Sequence, residues 1–198
     1  MAVSIEDIKR LRELTGVGMT DAKQALDAAN GDFDAALKEM RKKGLTKAEK
    51  RGERETRQGI VGTYNHDSRI GVSVEVNCET DFVARNDIFI DLVKDLCMHV
   101  AASSPQYVSV DEIPQEERED KKQELLASDA LKDKPADIAE KIVEGQLSKY
   151  FAERCLMDQP FIKNPDQTVG DYVKEHIAKL GENIVIRRFS RIAIGEVA

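Results

Sequence analysis

The chain has 198 residues, 41% of them apolar and 34% charged, with a formal charge of −7. That composition describes a globular chain rather than a disordered one, and the length suits one small module plus one domain of ordinary size. Residues 1–57 hold 13 Lys and Arg against 11 Asp and Glu, while the remainder holds 17 against 26, an acidic balance that argues against nucleic acid as the direct partner.

Residues 1–44 read as three short helices. Ser4 is placed to cap the first, with Glu6 and Asp7 in its opening turn favouring the helix dipole. Ile5, Ile8, Leu11 and Leu14 recur at helical spacing and supply its expected buried stripe. Gly16 and Gly18 bracket Val17 in a tight turn. Thr20 is expected to cap a second helix carrying Ala22, Ala25, Leu26 and Ala29, closed by Asn30-Gly31. A third begins near Asp32, with Phe33, Ala36, Leu37 and Met40 on one side, and is expected to stop before Gly44. Residues 45–57 are almost free of apolar side chains, and from Arg41 to Arg57 there are 8 basic residues against 3 acidic. Such a run is either a solvated linker or helix extension, or a basic strip that lies on an acidic patch of a partner.

The pattern then changes to that of strands. Gly59 to Tyr64 is followed by the polar turn Asn65-His66-Asp67-Ser68, and Arg69 to Asn77 alternates with Ile70, Val72, Val74 and Val76 on one face, predicting a hairpin. Four helical stretches follow. Asn86 caps one carrying Phe89, Leu92, Val93, Leu96 and Val100; Pro114 occupies the first turn of an acidic one reaching Leu126. Pro135 does the same for Ile138, Ile142, Leu147 and Phe151, and Thr168 caps the last, with Val169, Tyr172, Val173, Ile177 and Leu180. Ile184 to Ile194 reads as a third strand, with a bend or bulge because its alternation is imperfect. The expected fold class is α+β, a helical module and then a small antiparallel sheet covered by helices. The expected organisation is a module over 1–44, a basic linker over 45–57 and an α+β core over 58–198.

Catalytic signatures are missing from the sequence. There is no phosphate-cradling G-x-x-x-x-G-K-[ST] loop, and Gly16-Val17-Gly18-Met19 follows a helix rather than a strand. His66, His99 and His176 are scattered without metal-ligand spacing. Cys78, Cys97 and Cys155 are odd in number and far apart, so neither a disulfide framework nor a zinc site is expected. The chain therefore reads as a protein that is not an enzyme and uses no metal or cofactor. The opening MAVSIEDIKR has no apolar core of a signal peptide and no apolar run approaches the ~20 residues needed to span a bilayer, so a soluble cytoplasmic protein is expected. One segment stands out on local grounds, the strand-to-helix corner Glu79-Thr80-Asp81-Phe82-Val83. Phe82 either turns inward to staple the next helix while Asp81 or Thr80 caps it, or it is an exposed aromatic anchor beside a charge, the form of an interface hot spot.

Two motifs and the chain's ending carry a resemblance. Residues 11–26, LRELTGVGMTDAKQAL, resemble the N-terminal signature of the elongation factor Ts family, and residues 75–86, EVNCETDFVARN, resemble its second signature. The stretch from Gln159-Pro160-Phe161 through Thr168-Val169-Gly170 and Gly181-Glu182-Asn183-Ile184 to Arg187-Arg188-Phe189 is similar to the family's ending. The resemblance implies a UBA-like module that docks on the G domain of elongation factor Tu, with Arg12, Met19 and Lys23 as contacts. It implies guanine-nucleotide exchange, with Thr80, Asp81, Phe82 and Val83 disturbing the magnesium site of that GTPase. Longer family members carry a second copy of the core subdomain and a helical hairpin, for which 198 residues leave no room. Short members act as homodimers, so a homodimer is implied here.

Overall fold

A computed structural model describes residues 3–128 and 135–196. The Ser4 hydroxyl accepts from the amides of Glu6 and Asp7 at 3.1 and 3.2 Å and opens α1 (Ile5–Thr15), which Gly16 closes in the left-handed region at φ 69°. A second helix, α2 (Met19–Ala28), starts two residues earlier than a Thr20 cap would allow. Gly18 is its N-cap and no side chain caps it, because the first intrahelical bond already runs from Ala22 N–H to the Gly18 carbonyl. Asp32 caps α3 (Phe33–Glu49) through Ala35 N–H at 3.0 Å. This helix continues past Gly44 instead of stopping there. A Cβ at Gly44 would stand 3.2 Å from Ala178 Cβ, so that glycine permits close helix packing and does not end the helix.

The module has a thin core of its own, formed by Ile8, Leu11, Ala22, Ala25, Leu26, Ala36 and Met40. Ile5 and Leu14, read as part of the buried stripe of α1, are exposed instead. Their positions flank the stripe, and only Ile8 and Leu11 reach the neighbouring helices.

The sheet comprises β1 (Gln58–His66), β2 (Ile70–Cys78) and β5 (Ile184–Ala193), antiparallel in the order β1-β2-β5. The hairpin turns on Asp67 and Ser68, both at positive φ, with the Asn65 side chain accepting from Ser68 N–H; left-handed residues of this kind match the strands' twist. The expected bulge in the last strand is present: Glu75 pairs with Arg188 and Val76 with Ile186, leaving Arg187 between them. On the covered face of β2, Val72, Val74, Val76 and Cys78 are buried. There α5 (Asp87–Ser103), opened by the Asn86 side chain, lies so close that a Cβ on Gly62 would stand 2.4 Å from Val93 Cγ1. Farther along, α8 (Val169–Leu180) is tied to α5 by the Tyr172 hydroxyl, which donates to Asp95 at 2.8 Å.

Contacts divide the chain into two compact units, Met1–Met98 with Asp171–Ala198, and His99–Gly170. The second unit contains α6 (Gln115–Leu126) and α7 (Ala136–Ala152), preceded by Pro114 and Pro135 as N-caps and not as first-turn residues. Ile113, Phe151 and Cys155 form its small core with Tyr107 and Leu147 against them. A hairpin of β3 (Pro160–Phe161) and β4 (Asn164–Thr168) completes it, an element the sequence pattern did not suggest. Buried His99 accepts from Ile162 N–H at Nδ1 and meets Gln159 Oε1 through Nε2 at 2.9 Å. That arrangement requires the neutral imidazole, and burial accordingly lowers its pKa.

Candidate functional site

The corner after β2 is built by hydrogen bonds to two carboxylates. Thr80 is extended at φ −126° and ψ 157°, and its hydroxyl accepts from Val83 N–H at 3.4 Å, opening the single-turn helix α4 (Asp81–Ala84). Ala84 is buried and anchors the turn, and Val83 is half-buried. Phe82, two residues earlier and so on the opposite side of the turn, is 83% exposed. The inward-staple reading of Phe82 therefore fails, while its companion expectation holds in part, since Thr80 does cap a helix. Asp81 lies in the first turn, where a helix dipole favours an anion, and pairs with Arg85 at 3.2 Å on the surface.

The base of this corner is cross-clamped to a segment about a hundred residues away. Glu182 Oε2 accepts from the backbone amides of Glu79 and Thr80 at 3.1 and 3.0 Å, and its Oε1 accepts from the Thr80 hydroxyl at 2.6 Å. In return, Glu79 Oε1 accepts from Asn183 N–H at 2.7 Å and is paired with Arg54 at 3.4 Å. The buried Asn183 side chain donates to the carbonyls of Gly52 and Arg54 at 3.2 and 2.8 Å. Hydrogen bonds to ionised carboxylates are stronger than neutral ones, so three segments of chain meet at one stiff joint. Nothing in the composition of residues 79–86 singles out these holders. Glu182 and Asn183 lie in the stretch that resembles the family's ending, and the register Cys78↔Ile184 is what delivers them to the corner.

The remaining chemistry at the corner is quiet. Cys78 is buried, its thiol donates to the Thr80 carbonyl at 3.1 Å, and burial together with the nearby Glu182 charge pushes its pKa up to about 11. Among the described residues no group of three or more His, Cys, Asp and Glu is arranged to hold a metal ion. No helix among them is long and apolar enough to cross a membrane. Met19 and Lys23, one turn apart on α2, and Arg12 in the last turn of α1 are exposed. No hydrogen bond or ion pair among the described residues joins these three to Thr80–Val83.

A family model described as Elongation factor TS matches residues 20–196. The chain is 49% identical over 196 residues to Elongation factor Ts of Thermodesulfovibrio yellowstonii, covering 99% of this chain and 98% of that one. It is 50% identical over 196 residues to the protein of the same name from Caldanaerobacter subterraneus subsp. tengcongensis, covering 98% of each. Elongation factor Ts of Thermosynechococcus vestitus is 52% identical over 196 residues, covering 98% of this chain but 66% of the relative. The α+β fold with its exposed tip, taken with these matches, defines a translation elongation factor. The chain belongs to the elongation factor Ts family.

Proposed function

We propose that this chain is a guanine-nucleotide exchange factor for elongation factor Tu, acting in the cytoplasm and without covalent chemistry of its own. The observation that carries the reading is Phe82, exposed to solvent on a helical turn whose base is clamped. A GTPase holds GDP through Mg²⁺, P-loop amides and the P-loop lysine, contacts that act together. A factor with higher affinity for the nucleotide-free state weakens GDP by the same factor, by linkage. Phe82 supplies that difference by entering an apolar crevice of the partner and displacing an element beside the metal. Asp81 brings a negative charge toward the groups that position the metal's waters, and Thr80 and Val83 form the shoulders of the wedge. The N-terminal module grips the G domain through Arg12, Met19 and Lys23, so that the wedge arrives in register. Its contacts are with protein rather than with nucleic acid or membrane.

Release of fluorescent GDP from elongation factor Tu tests this directly. The wild-type chain accelerates release, and Phe82→Ala and Asp81→Ala lose most of the acceleration. A wild-type chain without effect sinks the exchange reading, whereas two active variants sink only the assignment of the wedge.

A further inference from the structure

We propose that Glu182 is a positioning residue for exchange, setting the direction in which Phe82 is thrust. The inference rests on the exchange reading above, and it concerns a residue that touches neither the partner nor the nucleotide in that reading. Because the ring of Phe82 is 83% exposed, its direction follows from the backbone of residues 79–81. That backbone is held from one side. A single carboxylate takes both amides of Glu79 and Thr80 and also the Thr80 hydroxyl.

The hydroxyl has two duties. It donates to Glu182 and, through the same oxygen, accepts from Val83 N–H, so the carboxylate orients the cap that starts α4. The order of control runs from Glu182 to Thr80, then to the turn, then to the ring. Glu79, bonded to Asn183 N–H next door, stops the two segments from sliding past each other. A wedge must transmit force into its partner, and a tip that yields spends its contact energy on being ordered. Loss of the clamp therefore lowers the rate of the displacing step and leaves the grip of the distant module intact.

Saturation kinetics of fluorescent GDP release, with the full chain and elongation factor Tu, separate these effects. Glu182→Ala lowers the maximal exchange rate on the order of tenfold or more, the scale at which small misplacements act, while the half-saturating concentration stays near wild type. Glu182→Gln recovers much of the rate, because its carbonyl oxygen accepts from the two amides and its NH₂ donates to the Thr80 oxygen. In the chain alone, amide hydrogen exchange of Glu79, Thr80 and Val83 is faster in Glu182→Ala than in wild type. A maximal rate unchanged in Glu182→Ala overturns the proposal, as does a loss confined to the half-saturating concentration. If Glu182→Ala does not fold, Thr80→Val carries the test, since it keeps the shape and removes the hydroxyl link, and a wild-type maximal rate in that variant overturns the proposal. A wild-type chain that fails to accelerate release overturns the exchange reading itself. Loss in Phe82→Ala with retention in Glu182→Ala overturns only the positioning role.

Discussion

Phe82 gives up burial that would stabilise the chain by about 1.5–3 kcal/mol, since its ring is 83% exposed. Its removal therefore costs the fold little. Phe82→Ala is expected to unfold within about 0.5 kcal/mol of wild type, as for other surface changes, checked by urea titration, while its exchange activity falls. Asn183 presents the opposite case. Its buried amide serves the carbonyls of Gly52 and Arg54, and Asn183→Ala leaves both without that donor. A loss of about 1–3 kcal/mol is expected from the uncompensated carbonyls, visible in the same titration. The Asp81–Arg85 pair lies on the surface, so Arg85→Ala should change stability by less than about 1 kcal/mol.

Glycines decide how closely the elements pack. A methyl at Gly62 would stand 2.4 Å from Val93 Cγ1 and 2.9 Å from Cys97 Sγ, with α5 already seated on the sheet. Gly62→Ala is expected to destabilise by about 1–3 kcal/mol through overpacking. At Gly44 the new methyl meets only the Ala178 methyl at 3.2 Å, and alanine gains about 0.8–1 kcal/mol in helix propensity over glycine. Gly44→Ala should therefore be the milder of the two, and paired thermal melts rank them. The same pair of glycines marks what could be read from the sequence. Long elements with a strong period, such as β2 and α5, were legible, as was the bulge in β5 from its broken alternation. The end of α3 was not, because Gly44 signals a stop locally and its reason for being there is Ala178, far along the chain. The hairpin of β3 and β4 was hidden because Phe161 is alone in its inward pattern and the strands are too short to display a period. Phe82 was legible as a choice between inward and outward. The choice depended on which side of the turn is buried: Ala84 faces inward, and Phe82, two residues before it, therefore faces solvent.

For the molecule as a whole, burial holds His99 and His176 below the ordinary histidine pKa. Unfolded histidines take up protons near pH 6.5, so below that pH the unfolded chain binds more protons than the folded one. Stability contributed by the neutral rings is complete above about pH 6.5 and declines as pH falls toward their lowered folded values. The urea midpoint should thus be lower at pH 5.5 than at pH 7.5. The chain covers 98% of the relative from Thermodesulfovibrio yellowstonii but 66% of that from Thermosynechococcus vestitus, so relatives of both lengths share this region. We propose that this chain forms a homodimer, which is expected to sediment as twice the chain mass at micromolar concentration, and a monomer at all concentrations would refute it.

The three thiols have a practical consequence. Cys78, Cys97 and Cys155 are buried, and burial first of all pushes each pKa up to about 11. Maleimides attack the thiolate, so the folded chain offers them almost no target near neutral pH. A Phe82→Cys variant would then accept a dye at the tip alone, giving a reporter of docking geometry on a naturally silent background.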